Sequence, residues 1–196
     1  MTIRCDTQAR IAPIDVEHLR PEWAAILDRI PGDGLKGEGA PRNVLGTLMH
    51  SPETLGSFLD YWVTSKSKMS LSVREQELVI LRMGVLYRSE YVWKHHFKVG
   101  REFGVTDAEF DAVREGVYDA LPSERERAFL EITDALVNER DLPSDLWERA
   151  RKILDRCDFV DVISLVSQYV RFALTNVCFR VELEPQVAGI PGIDEY

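Results

Sequence analysis

Cysteine is scarce in this chain of 196 residues, which contains only Cys5, Cys157 and Cys178. The three lie far apart, are odd in number, and show neither a Cys-x-x-Cys motif nor the spacing of zinc ligands. These features argue against a disulfide framework and against a cysteine-based metal site. We therefore expect reduced thiols, two of them in packed helices, and no metal ion.

Positive charge is also in short supply, since 24 Lys and Arg residues stand against 33 Asp and Glu residues, for a net charge of -9. The basic residues are interspersed with acids, which argues against a nucleic-acid partner.

The N-terminus lacks the apolar run of a signal peptide, so the expected location is the cytoplasm. The longest apolar stretch, residues 159–181, is interrupted by Asp161, Arg171 and other polar residues, so it predicts a buried helix and no membrane span.

Alternating strand patterns bounded by turns are missing as well, and the predicted fold class is all-α. Helix starts are marked by three capping boxes: Ser72-x-x-Glu75, Thr106-x-x-Glu109 and Ser123-x-x-Glu126. Helix ends are marked by Gly104 and Gly116. Together these signals predict helices near residues 17–30, 42–50, 52–67, 72–87, 89–103, 107–115, 123–139, 144–156 and 158–181.

The length of the chain predicts a single domain over residues 1–196. Residues 31–41 are rich in glycine, which is compatible with either a phosphate-binding loop or a flexible linker. A phosphate-binding loop would need a Gly-Lys-Ser/Thr ending and a preceding strand, and both are missing. The segment is therefore predicted to be a flexible linker.

Glu77 opens a segment, residues 78–86, in which only Arg82 is neither apolar nor glycine. A helix that is apolar nearly all round is buried, so Glu77 is expected to point toward the interior. One interpretation is an acid in the first helical turn that complements the helix dipole. The other is a half-buried carboxylate with a raised pKa, which would suit it to acid–base chemistry.

On the next predicted helix, positions 89, 92, 93, 96, 99, 100 and 103 share one face, which places His96 toward the core. His95 is expected on a surface-like stripe with Tyr91, and the two imidazoles point about 100° apart, so they do not chelate one metal. His96 is either a hydrogen-bonded structural residue or the partner of Glu77. Trp93 is expected in the core and Tyr91 at the rim of a site.

Four segments, taken in order, resemble the carboxymuconolactone decarboxylase and alkylhydroperoxidase D-like superfamily: residues 41–52, 72–82, 89–96 and 104–109. The resemblance is good over residues 40–120 and looser over the C-terminal helices, residues 122–183. It implies an alkylhydroperoxidase D-like bundle of about eight or nine helices. It also implies a homo-oligomer (dimer, trimer or hexamer) with sites between helices near a subunit contact.

In the peroxidase branch of this superfamily a Cys-x-x-Cys motif works with a Glu and a His that relay protons. Carried over by spacing, the relay residues are Glu77 and His96, and the redox cysteines are replaced by Ser89 and Val92. Thiol peroxidase chemistry needs an attacking thiolate and a resolving thiol, so this activity is not expected.

The decarboxylase branch uses neither cysteine nor a cofactor, and it implies a lyase or isomerase that acts on a small carboxylated or lactone metabolite from aromatic catabolism. Glu77 and His96 would be its acid–base pair. Arg82, Tyr169 or Arg171 would hold a carboxylate. The candidate substrate-binding residues are Ser89, Tyr91, Trp93, Arg82 and Tyr169. The alternative left open is a non-catalytic homo-oligomer that binds a small ligand or serves as a scaffold.

Overall fold

The computed structural model describes residues 8–16, 18–29 and 40–195, and within these ranges the regular structure is entirely helical. The predicted all-α class is therefore confirmed. In chain order the α-helices are α1 (Pro21–Leu27), α2 (Arg42–Leu48), α3 (Pro52–Lys68), α4 (Val73–Leu86), α5 (Glu90–Glu102), α6 (Asp107–Glu115), α7 (Glu124–Asn138), α8 (Ser144–Ala150), α9 (Arg156–Phe179) and α10 (Pro185–Ala188). Most of the predicted linker at residues 31–41 lies outside the described residues.

Two of the predicted capping boxes form completely and fix the starts of α4 and α6. The Glu75 carboxylate accepts a hydrogen bond from the Ser72 amide at 2.7 Å, while the Ser72 hydroxyl accepts from the Glu75 amide at 3.3 Å. At α6, the Glu109 carboxylate accepts from the Thr106 amide at 2.8 Å. Each box satisfies amides that have no partner within the helix.

The third box forms only in part. The Ser123 hydroxyl accepts from the Glu126 amide at 3.3 Å, but the Glu126 carboxylate lies 2.8 Å from Arg74 Nε. Arg74 also donates to Glu109 at 2.5 Å, so one guanidinium joins the N-terminal ends of α4, α6 and α7. The ion pair with Arg74 on α4 therefore replaces the hydrogen bond that the Glu126 carboxylate would accept from the Ser123 amide in a complete capping box.

Helix α9 begins earlier, and α8 ends earlier, than the sequence pattern predicts. Asp155 caps α9, because its carboxylate accepts from the Asp158 amide at 3.0 Å and the Asp158 carboxylate accepts from the Asp155 amide at 2.9 Å. This box uses two aspartates in place of the usual Ser/Thr and Glu. A 3-10 turn at Tyr118–Ala120 and the short α10 were not predicted.

Helix α4 lies at the centre and packs against α5, α6, α7 and α9, with every residue from Gln76 to Gly84 buried. Gly84 lets α5 approach closely, because a Cβ atom at this position would lie 3.1 Å from the Trp93 backbone nitrogen. This close contact between α4 and α5 brings the carboxylate-bearing and imidazole-bearing helices side by side.

Helix α9 is only partly covered. Cys157 and Cys178 lie on it but are exposed, so the expectation that they are packed is wrong. Its outer surface carries what we call the α9 stripe, a row of mostly apolar side chains: Val160, Ile163, Ser167, Val170, Leu174 and Val177. Among the described helices, α9 alone is long and apolar enough to cross a membrane, a property it shares with core helices of soluble proteins.

Candidate active site

Glu77 on α4 and His96 on α5 are in direct contact. Glu77 Oε2 lies 2.5 Å from His96 Nδ1, and the Glu77 side chain is only 3% exposed. A carboxylate oxygen accepts hydrogen bonds, so Nδ1 is the protonated nitrogen and donates to it. The other ring nitrogen, Nε2, then carries the lone pair when the ring is neutral and can act as a base.

Tyr169 on α9 completes the arrangement. Its hydroxyl lies 3.2 Å from His96 Nε2, and the two rings meet edge to face with centroids 5.4 Å apart. Burial, and then the nearby Glu77 and Tyr61, raise the pKa of the Tyr169 phenol well above its ordinary value. The phenol therefore keeps its proton and donates to Nε2, which gives a continuous chain of hydrogen bonds from carboxylate to imidazole to phenol, the geometry of a relay.

The relay opens onto a cavity of about 210 Å³ between α2, α3, α5 and α9. Its walls are apolar or aromatic apart from the two imidazoles and the phenol hydroxyls: Pro41, Leu45, Phe58, Trp62, Tyr91, Val92, His95, His96, Val99, Tyr169 and Phe172. No Lys or Arg is among these lining residues. A space of this size suits a single small ring, because sites for drug-sized molecules start at roughly 300 Å³.

His95 and Tyr91 are not placed as their helical phase indicated, because both are covered by the segment after α9. Tyr91 is 4% exposed, and its hydroxyl donates to Glu184 Oε1 at 2.7 Å. His95 lies 2.9 Å from Glu184 Oε2 through Nε2, and its ring stacks on that of Tyr91 at 4.2 Å. The surface position predicted for His95 is therefore wrong.

Glu184 is the residue of this cluster that sequence reasoning missed. Burial alone would raise the pKa of its carboxyl, but the close contact with His95 and the hydrogen bonds from the Asn43 amide and from Tyr91 outweigh burial and lower it. The same surroundings, burial first, raise the pKa of Tyr91. The sequence signal for Glu184 was weak, namely an acid directly before Pro185. No local pattern indicates that this segment folds back onto α5.

Ser89 and Trp93 lie outside the cavity wall. Ser89 caps α5, since its hydroxyl accepts from the Val92 amide at 3.4 Å, and it is 1% exposed. Trp93 is fully buried, and its Nε1 donates to the Pro191 carbonyl at 3.0 Å. Both residues position the helix that carries the imidazoles.

The two candidate arginines also lie outside the wall. Arg82 donates to Asp134 at 2.6 Å and to the Val113 carbonyl at 2.8 Å, so it joins α4 to α6 and α7. Arg171 lies over the ring of Phe58, 5.4 Å from its centroid, and burial lowers the pKa of its guanidinium. Phe58 stacks on Phe172 at 5.1 Å, and this aromatic pair forms the cavity wall there.

Metal-binding clusters are not found in the described part of the chain, where no group of three or more His, Cys, Asp or Glu side chains has suitable geometry. Glu77 with His96, and Glu184 with His95, each form a pair. The chemistry that these groups can perform directly is proton transfer and hydrogen bonding.

Comparisons with known proteins agree with the resemblance found in the sequence. Residues 52–135, which include Glu77 and His96, match the carboxymuconolactone decarboxylase family. No curated protein sequence matches the chain.

Three solved structures have a similar fold. An uncharacterized peroxidase-related protein with an alkylhydroperoxidase AhpD core, from Ralstonia eutropha JMP134, has a TM-score of 0.77 at 15% identity, covering 91% of this chain and 94% of that one. A peroxidase-related protein from Silicibacter sp. TM1040 has a TM-score of 0.72 at 15% identity, covering 96% and 98%. A cysteine-to-alanine variant of the debrominase Bmp8, in complex with 2,3,4-tribromopyrrole, has a TM-score of 0.73 at 12% identity, covering 92% and 94%.

Proposed function

We propose a cofactor-free acid–base enzyme of the lyase or isomerase type. Residues 52–135 match the carboxymuconolactone decarboxylase family, and the fold is similar to that of the alkylhydroperoxidase D-like proteins. The observation that carries the proposal is the 2.5 Å contact between Glu77 and His96 beside a small apolar cavity. Its substrate would be a small lactone or other cyclic carbonyl compound. The debrominase of similar fold holds one small ring, and a ring of that size is compatible with this cavity.

The relay suggests how such a substrate would react. His96 Nε2 would remove a proton from the carbon next to the carbonyl, and the electron pair of the broken C–H bond would move to the carbonyl oxygen. Glu77 would stabilise the imidazolium that forms. The Tyr169 hydroxyl, displaced from Nε2 by the substrate, would donate to the enolate oxygen. In a substrate with a β,γ double bond, return of the proton to the γ carbon would complete an isomerisation.

Decarboxylation would use the same groups in a different order. The C–C bond to the leaving CO₂ would break, its electron pair would form the enolate, and the His96 imidazolium would then protonate the carbon. This route needs a cation to bind the substrate carboxylate, and neither Arg82 nor Arg171 lines the cavity. His95 does line the cavity, but both of its ring nitrogens already face protein oxygens, so it has no N–H with which to bind a carboxylate. The wall therefore favours the isomerase version, with a lactone or neutral carbonyl substrate, over the decarboxylase version.

Exchange of substrate hydrogen for deuterium tests the proposal without knowledge of the natural substrate. A panel of small lactones and cyclic enones is incubated with the protein in D₂O and followed by NMR. Glu77→Gln and His96→Asn should each slow exchange by about 10²-fold or more. The control is His50→Asn, because His50 lies outside the cavity and bonds the Ala12 carbonyl. Unchanged exchange in both relay variants would refute the mechanism.

A non-catalytic ligand-binding protein is the second candidate. It is favoured by the Tyr169 hydroxyl, which occupies the Nε2 position that a base must present to its substrate. Members of the same panel would then raise the melting temperature without any exchange, and Tyr169→Phe would alter binding alone. Exchange by the wild-type protein above the buffer rate would exclude this candidate.

Thiol peroxidase activity is disfavoured on chemical grounds. The positions that correspond to the redox cysteines hold Ser89 and Val92, and neither side chain can form a disulfide. Cys157 and Cys178 are exposed on α9 and do not line the cavity. Peroxide consumption with a dithiol reductant, compared between the wild type and a variant with all cysteines replaced by serine, measures any such activity.

Assembly of identical copies through the α9 stripe is the final part of the proposal. The stripe repeats at alternating steps of three and four residues from Val160 to Val177, the spacing with which one helix packs against another. Leu174→Glu should lower the mass measured by sedimentation, whereas Ser164→Glu, beside the stripe, should not. A wild-type protein that is monomeric, or that binds lipid vesicles through this face, would refute it. The exposed thiols favour a reducing, cytosolic setting.

A further inference from the structure

The two histidines of the cavity differ in what their ring nitrogens face. His96 has a carboxylate at Nδ1 and a phenol hydroxyl, which can donate, at Nε2. His95 has the Tyr91 backbone carbonyl 2.9 Å from Nδ1 and the Glu184 carboxylate 2.9 Å from Nε2. Both partners of His95 are oxygens that accept and cannot donate, provided that Glu184 is ionised.

A neutral imidazole does not suit this position. One of its nitrogens would direct a lone pair at an acceptor oxygen 2.9 Å away, in surroundings where the His95 side chain is only 11% exposed. The contact of Nε2 with Glu184 Oε2 is short, but it does not have the geometry of a hydrogen bond, so neither atom has a hydrogen-bond partner. A second proton on the ring would remove the repulsion between the lone pair and its facing oxygen.

The surroundings of Glu184 support an ionised carboxylate. Its Oε1 accepts from the Tyr91 hydroxyl at 2.7 Å and from the Asn43 amide at 2.8 Å, and both groups are donors. The titratable groups that face the His95 ring are Tyr91 on α5 and Glu184 after α9, while α2 contributes only the non-titrating amide of Asn43.

We infer that His95 carries a proton on both ring nitrogens, which face Glu184 and the Tyr91 carbonyl, and that its positive charge favours ligands bearing an anionic oxygen. This inference rests on the proposed function in one respect, namely that the cavity binds a small ligand. His95 lines the cavity and Glu184 does not, so a ligand lies nearer the positive end of the pair. The ligand class is phenolates and the enolates of small ring carbonyl compounds.

The different hydrogen-bond partners of His95 and His96 give the two residues different roles. His96 can be neutral and can accept a proton, whereas His95 has no free nitrogen with which to accept one. His95 therefore acts by electrostatic attraction, and the negative oxygen formed when His96 removes a proton is the charge it would stabilise. A fixed charge in an apolar cavity has a stronger effect than the same charge in water.

The protonation of His95 is tested directly by NMR on the full-length protein with ¹⁵N-labelled histidine. Both His95 nitrogens should show the shifts of an imidazolium at neutral pH. Glu184→Gln should convert the ring to a neutral form under the same conditions. The matched control is Glu182→Gln, the same substitution at an exposed side chain two residues away, which should leave the His95 signals unchanged.

Ligand preference is tested with 4-nitrophenol, which absorbs visible light only as its phenolate. The wild-type protein should bind the phenolate at least tenfold more tightly than the phenol, and Glu184→Gln should remove most of that preference. His95→Gln is the second variant, in case Glu184→Gln does not fold. His96→Asn should retain the preference, which separates the effect of His95 from proton acceptance by the relay.

The outcomes separate this inference from the proposed function. A single unprotonated His95 nitrogen in the wild type, or equal binding of phenol and phenolate, would overturn the inference even in a protein that catalyses exchange. An imidazolium together with a phenolate preference, in a protein that shows no exchange, would support the inference and refute the catalytic proposal.

Discussion

Replacement of Arg125 by methionine should destabilise the protein strongly, because it leaves a buried carboxylate without its partner. Arg125 Nη1 and Nη2 each lie 2.5 Å from an Asp158 oxygen, and Nε lies 2.8 Å from Glu75. The Asp158 side chain is 3% exposed and also accepts the Asp155 amide at the start of α9. Methionine preserves most of the apolar stem, so the perturbation is mainly the loss of charge.

The expected magnitude comes from the burial of Asp158. Breaking a buried pair by removal of one partner costs about 3–5 kcal/mol. Because Arg125 is about one-third exposed, water relieves part of this cost, and the expected loss is about 2–3 kcal/mol in the free energy of unfolding. Arg149→Met is the control: its guanidinium pairs with Glu131 and Asp145 at the surface, where such pairs contribute about 0–1 kcal/mol.

The loss should depend on pH. Burial would raise the pKa of Asp158, but hydrogen bonds from Arg125 and from the Asp155 amide outweigh it, and the folded-state pKa is lowered. A lowered pKa contributes stability above the unfolded value of about 4, and this stability is lost as the pH falls through the folded value. The difference between wild type and Arg125→Met should therefore be largest near neutrality and shrink below about pH 4.

Urea unfolding, followed by circular dichroism between about pH 3 and 7, measures both quantities. The reasoning is refuted if Arg125→Met costs no more than Arg149→Met at neutral pH. It is also refuted if the difference between wild type and Arg125→Met is the same at pH 3 as at pH 7, since the carboxylate would then not be its source.

Three further predictions concern the relay, the helix contact and the exposed thiols. Tyr169→Phe should slow deuterium exchange by about tenfold or more while leaving the melting temperature nearly unchanged, because it removes only the hydroxyl that donates to the relay imidazole. Gly84→Ala should lower the free energy of unfolding by about 1–3 kcal/mol in urea titrations, despite the better helix propensity of alanine, because its Cβ would overpack against α5. Cys178 should react faster than Cys157 with a disulfide reagent at mildly alkaline pH, because Asp161 raises the pKa of the Cys157 thiol, and the ratio should fall as the pH rises.

Local patterns were sufficient to predict most helices and to single out Glu77 and His96 as a pair, whose role as a proton relay stays a prediction. Capping residues such as Ser72 mark the starts of helices, where the first backbone amides have no partner within the helix. Their hydrogen bonds involve residues only a few positions apart, so the sequence shows them directly. Helical phase placed His96 on the inner face, and the short chain between α4 and α5 brought it against Glu77. These predictions succeed because both the spacing and the contact are set within one helical hairpin.

Long-range contacts account for the features that could not be predicted. His95 is buried because Glu184, distant in sequence, folds back over α5, and the periodicity of α5 contains no information about that segment. Arg82 was a candidate for holding a carboxylate, yet its guanidinium is already bound to Asp134 on α7. The cap at Asp155 was missed because a pair of aspartates replaces the usual residues.

Helix α9 carries Tyr169 toward the cavity and the α9 stripe toward the outside, on one uninterrupted helix from Arg156 to Phe179. A helix of this length moves largely as one rigid rod, so a partner that docks on its outer face would set the tilt of the phenol within. If the copies pair as proposed, dilution would separate them and lower the activity of each subunit, so the activity per subunit would rise with protein concentration.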